Sequence, residues 1–123
     1  MRKVEVTVVK VRNLKRQHAF RGSNDPYVRI APDKGLIHHW QKTAAIKDAG
    51  SEAEFDKQMT FEVKPDGNLL LEVKDSDLIH DDEIGRTKIP MSDVFETGAV
   101  ESWYQIGEGS KYSGEVYLQM RAL

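Results

Sequence analysis

The chain has 123 residues and a formal net charge of −2 from 18 basic and 20 acidic side chains, long enough for one domain whose core needs no staple. No cysteine is present, which excludes disulfides, thiolate zinc sites and a cysteine nucleophile and suits a reducing compartment. The near-neutral balance removes any bulk electrostatic case for nucleic acid, and no apolar run approaches the roughly 20 residues of a membrane-spanning helix.

The segment Val4 to Val11 alternates apolar and polar residues with heavy β-branching, the pattern of a half-buried strand. It begins directly after Met-Arg-Lys, so no signal peptide is expected. A polar stretch from Arg12 to Asp25 leads to Pro26, and Tyr27 to Ile30 predicts a second strand. Pro32-Asp33-Lys34-Gly35 predicts a turn into a third strand across Leu36 to Ile46, followed by an acidic loop from Lys47 to Glu54. Met59 to Val63 predicts a strand, Pro65-Asp66-Gly67-Asn68 a turn, and Leu69 to Val73 another strand. The acidic segment Lys74 to Glu83 predicts a loop and Ile84 to Ile89 a strand. Ser92 to Thr97 predicts one helical turn, with Ser92 as its cap and Gly98 ending it. Trp103 to Ile106 and Glu115 to Met120 close the chain as strands. Short strands at regular spacing predict an all-β fold, an eight-stranded antiparallel β-sandwich, as one domain over 1–123.

Three groups of residues extend this reading. Leu14 and Gly22 precede Asp25-Pro26-Tyr27-Val28; Lys42-Thr43 precedes Phe61 and Val63; Val73-Lys74-Asp75-Ser76-Asp77 precedes Asp82, three residues before Gly85. In this order and spacing they make the whole chain resemble a C2 domain, the calcium- and phospholipid-binding β-sandwich family. The resemblance implies three loops clustered at one end, where calcium and phospholipid bind. The chain begins with the strand before the first of these loops and ends with an extra strand, Gly114 to Leu123, which resembles the type II topology of the family.

Calcium requires about 6–8 oxygen ligands, which carboxylates converging from separate loops can supply. Asp75 and Asp77 lie two apart, on one side of an extended chain, and Asp25 is placed to face them from another loop. The resemblance makes Asp25, Asp75, Asp77, Asp81 and Asp82 the candidate ligands, with Asp81 and Asp82 competing for one role. Relatives carry a bridging aspartate six residues before Asp25; here that position is Ala19, between His18 and Phe20. One weakly bound calcium ion is the expectation. The competing reading is that these aspartates only form turns. An EF-hand is excluded, because His80 and Arg86 occupy its required glycine and glutamate positions.

Leu78 and Ile79 in the acidic loop, and Phe20 beside Arg21 in the first loop, are candidate wedges into a headgroup layer; folding back onto the sandwich is the alternative for Leu78 and Ile79. Lys10, Arg12, Lys15, Arg16 and Arg21 form a basic group before and within the first loop, with Lys15, Arg16 and Arg21 as lipid-binding candidates. In an anionic leaflet each such side chain contributes on the order of 1 kcal/mol. A looser basic group comprises Arg29, Lys34, His38, His39 and Lys42. Arg2 stands where myristoylation needs glycine and no prenylation cysteine exists, so membrane contact is expected to be peripheral and cytoplasmic. Trp40 and Trp103 are expected in the core or on a sheet face. There is no glycine-flanked serine elbow, triad or phosphate-binding glycine loop, so no enzyme is expected. The expected partner is an anionic phospholipid membrane. The alternative is a calcium-independent domain that binds proteins.

Overall fold

The structure is a computed structural model that describes residues 1–15, 24–77, 80–107 and 109–123. In chain order these contain β1 (Arg2–Arg12), β2 (Pro26–Pro32), β3 (Gln41–Lys42), β4 (Ala53–Val63), β5 (Asn68–Asp75), β6 (Asp82–Pro90), α1 (Ser92–Thr97), β7 (Ala99–Ile106) and β8 (Gly114–Ala122). They form two four-stranded sheets, ordered β4-β1-β8-β7 and β3-β2-β5-β6, and every strand pairing among the described residues is antiparallel. The expected eight-stranded antiparallel sandwich is the observed one. The extra C-terminal strand, β8, lies between β1 and β7.

The core follows from the alternation of apolar residues. Val4, Val6 and Val8 of β1 are fully buried and share one cluster with Val28 and Ile30 of β2 and Leu69, Leu71 and Val73 of β5. A register shift between Val8 and Lys10, against both β4 and β8, resets the inward phase to Val11 and leaves Lys10 outside. A second irregularity makes Ile84 the extra residue between the pairs Val73↔Gly85 and Lys74↔Glu83, so Ile84 and Gly85 are both buried. A Cβ at Gly85 would stand 2.2 Å from Ser113 Oγ, so β6 passes here only because the residue is glycine.

Three expectations need correction. The third strand does not span Leu36 to Ile46; only Gln41–Lys42 joins the sheet. Lys34 N–H turns back to Pro32 O at 3.1 Å, Gly35 takes φ 66, and beyond Lys42 the Thr43 hydroxyl accepts the Val28 N–H at 3.1 Å. The strand containing Met59 starts at Ala53, because backbone pairing to β1, such as Lys10↔Glu54, continues where solvent-facing side chains carry no apolar alternation. The helical turn keeps its expected bounds and ends on Gly98 at φ 91, but Met91, not Ser92, is its N-cap and no side chain caps it. Met91 is instead fully buried, with its N–H held by Gly67 O at 2.9 Å.

Candidate functional site

The loops β1–β2, β3–β4 and β5–β6 leave the sandwich at one end, and Asp25 joins them. Pro26 opens β2 opposite Asp75, the last residue of β5, a strand-end position where a missing N–H costs no ladder bond. Asp25 N–H donates to Asp75 Oδ1 at 2.8 Å, and Ser76 N–H donates back to Asp25 O at 3.0 Å. From the β3–β4 loop, Asp48 N–H donates to Asp25 Oδ1 at 2.7 Å, with Asp48 in the left-handed region at φ 54, which Asp tolerates better than most residues.

Asn24 anchors the neighbouring stretch. It is 3% exposed, and its amide nitrogen donates to Lys15 O at 2.9 Å and reaches Gly50 O at 3.5 Å. The backbone continues the seam through Gly50 N–H to Asn24 O at 3.3 Å and Leu14 N–H to Ser51 O at 3.1 Å. A buried asparagine bonded this way cannot be exchanged for an apolar residue without orphaning loop carbonyls.

In the β5–β6 loop the Tyr27 hydroxyl donates to Asp81 Oδ2, and Asp77 N–H donates to Asp81 Oδ1 at 3.0 Å. Burial foremost, then Asp81, pushes the Tyr27 pKa up to about 12. The Tyr27 hydroxyl foremost, then the Asp77 amide, holds the Asp81 carboxyl below the usual carboxylate range. Asp82 lies across the ladder from Asp75, with His80 Nε2 3.4 Å from its Oδ1.

Asp25, Asp75, Asp77, Asp81 and Asp82 are thus gathered at one end, with Asp75 only 7% exposed. A carboxylate set is chemically suited to a hard cation. The expected preformed cup is nevertheless not closed: among the described residues no three Asp, Glu or His side chains are arranged to hold a metal ion. Backbone amides take one oxygen of Asp25 and one of Asp75, and Asp81 has both oxygens engaged. A cation here would draw on the carboxylates of Asp25, Asp75, Asp77, Asp81 and Asp82 in exchange for some of these contacts.

Lys15 is exposed at the base of the first loop, its N–H donating to Ser113 O at 3.0 Å. Arg16, His18, Ala19, Phe20 and Arg21 of the first loop, and Leu78 and Ile79 of the acidic loop, lie outside the described residues. The basic group around β1 is divided by its surroundings. Arg12 stacks 3.7 Å over the Trp103 ring and donates from Nε to Glu115 Oε1 at 3.0 Å. Trp103 and Tyr117 pack at 5.1 Å, so Trp103 is a sheet-face residue. Asn24 and Asp48 are the positioning residues that sequence patterning missed. The signal for Asn24 was an asparagine directly before Asp-Pro, and for Asp48 an aspartate two residues before a glycine.

A sequence model of the C2 domain matches residues 2–106. The chain belongs to the C2 domain family. C2 domains are, as a rule, binding modules without catalysis of their own. No curated protein sequence matches the chain. Among solved structures it resembles the paired C2 domains of calcium-bound Extended-Synaptotagmin 2, with TM-score 0.83 and 19% identity; the match covers 99% of this chain and 45% of that one. It resembles a C2 domain of plant Extended Synaptotagmin 1 with TM-score 0.83 and 20% identity, over 98% of this chain and 93% of that one. A C2 domain-containing protein from a putative elicitor-responsive gene gives TM-score 0.75 and 24% identity over 97% and 86%. At such identities the likeness is one of fold. Among the described residues no helix is long and apolar enough to cross a membrane.

Proposed function

We propose that this C2 domain, acting as one unit over 1–123, is a non-catalytic module that docks peripherally on anionic phospholipid through its three clustered loops. Its calcium dependence is weak and its setting is the cytoplasmic face of a membrane. The observation that carries this reading is the junction at Asp25, where hydrogen bonds to Asp75 and Asp48 gather three loops into one acidic end surface. Phe20, Leu78 and Ile79 are the proposed wedges, and Lys15, Arg16 and Arg21 the headgroup contacts. Bound calcium would bridge carboxylates and lipid phosphate. Asp25, Asp75, Asp77 and Asp82 are the residues to hold it, and the absence of a bridging carboxylate at Ala19 limits the site to one ion.

The test is sedimentation with phosphatidylserine vesicles, with and without calcium and at low and high salt. The expected result is pelleting that calcium strengthens, with the calcium increment lost in Asp75→Asn and Asp77→Asn. Absence of pelleting in every condition overturns the reading.

One observation favours a second reading, a calcium-independent domain that binds proteins: the aspartate oxygens already serve backbone amides and Tyr27. A flat calorimetric titration at millimolar calcium would favour it.

A further inference from the structure

The opposite end of the sandwich carries a feature that the loop site does not use. β2 runs for seven residues away from Asp25, which places Pro32 about 20 Å from the aspartates. Beyond Pro32 the chain turns at Gly35, φ 66, and presents Leu36 at 100% and Ile37 at 76% exposure. Two adjacent branched aliphatics stand clear of the core, and removing them from water is favourable.

The chemistry around the tip selects that partner. Asp33, the acidic residue of the turn, is neutralised by Lys88 Nζ at 3.3 Å, and Glu72 by Arg29, whose Nε lies 2.7 Å from Oε1. Lys34 is exposed beside Leu36, with His38 and His39 on the other flank. Trp40 is half-buried, its ring clamped by Arg29 at 4.0 Å and met edge-on by His38 at 5.9 Å. An apolar tip with the Lys34 ammonium beside it and an amphipathic indole behind them match the layers of an anionic bilayer surface from acyl chains outward. The shape argues the same way. The two side chains can remove only roughly 200 Å² from water, against about 800 Å² per partner in a stable protein interface. A protruding pair can enter a lipid layer, which requires no matching pocket.

We infer that the β2–β3 turn is a second lipid contact, in which Leu36 and Ile37 insert into an anionic bilayer independently of calcium and of the aspartate loops. The domain then holds lipid at both ends.

Vesicle binding in EDTA removes the calcium contribution of the loops, and a background of Lys15→Glu, Arg16→Glu and Arg21→Glu removes their basic contribution, so the binding that remains reports the tip. With vesicles of phosphatidylcholine and phosphatidylserine, Leu36→Ser with Ile37→Ser is expected to lower the partition coefficient at least tenfold. Both positions are exposed, so the fold is retained. In a Trp103→Phe background, Trp40 is the remaining tryptophan, and its emission is expected to shift blue and to be quenched by brominated lipid. Asp75→Asn with Asp77→Asn should remove the calcium increment, and Leu36→Ser with Ile37→Ser should cause the same proportional loss in EDTA with or without those two changes, so the tip and the aspartate loops succeed or fail separately. Equal partitioning of the wild type and the serine variant, no binding in EDTA, or Trp40 emission indifferent to vesicles would each overturn the inference. So would light scattering that shows the tip mediating self-association, which would make a second copy the covering partner.

Discussion

The Tyr27 hydroxyl, on β2, donates to Asp81 Oδ2 in the β5–β6 loop, whose other oxygen accepts the Asp77 N–H at 3.0 Å. This contact gives the acidic loop a defined seat on the sandwich. It also occupies one acceptor position on each Asp81 oxygen. Tyr27→Phe should therefore lower stability by about 1–2 kcal/mol, read from urea unfolding. It should also return the Asp81 carboxyl toward the ordinary range in a carbon-13 titration. If Asp81 becomes available as a ligand, calcium binds Tyr27→Phe more tightly than wild type in calorimetry.

The same pair predicts two pH limits. Tyr27 has its folded pKa raised to about 12, so its contribution is complete below the unfolded value of about 10 and disappears as pH rises through about 12. Asp81 has its folded pKa depressed, so its contribution is present above about 3.9 and disappears as pH falls through the folded value. Urea midpoints measured across pH should decline at both edges, and Tyr27→Phe should flatten the decline between pH 10 and 12.

Asp81 and Asp82 separate by role. Asp81 is held by Tyr27 and the Asp77 amide, whereas Asp82 lies across the ladder from Asp75 with His80 Nε2 3.4 Å from its Oδ1. Asp81→Asn is expected to reduce stability while leaving the calcium increment in vesicle binding largely intact. Asp82→Asn is expected to reduce that increment with little change in the urea midpoint. The reverse pattern would exchange the two assignments.

Gly85→Ala should destabilise by about 1–3 kcal/mol through overpacking, since the new Cβ would stand 2.2 Å from Ser113 Oγ and 3.1 Å from Ile106. Adding Ser113→Ala should recover part of the loss, the Ile106 contact accounting for the remainder. Additive losses in the double variant would contradict the proposed clash.

Asn24→Ala should cost about 1–3 kcal/mol by removing the buried amide that bonds the Lys15 and Gly50 carbonyls. Faster amide exchange is expected at Leu14 and Gly50, whose N–H groups belong to the same seam.

Much of this was legible in the sequence because burial in a sandwich is written with period two. Val4, Val6, Val8 and Leu69, Leu71, Val73 alternate, and all six are buried. Gly98 and the turn at Gly67 were readable because glycine there answers a local backbone need. Ala53 to Gln58 pairs with β1 through its backbone while most of its side chains face water, so periodicity had nothing to register. Leu36 and Ile37 misled in the opposite direction: their place in the sequence predicts the start of a third strand, and the chain instead turns them outward.

The sequence by itself determined the family, the two sheets' worth of strands and the acidic character of the loops, because these depend on residue type and spacing along the chain. Only the tertiary structure decided what the aspartates do. Asp25 meets the Asp48 amide, Asp75 meets the Asp25 amide, and Asp81 meets Tyr27, contacts separated by 23, 50 and 54 positions. Hydrogen-bond partners at such distances are set by how strands pair and loops close, and no local pattern encodes them.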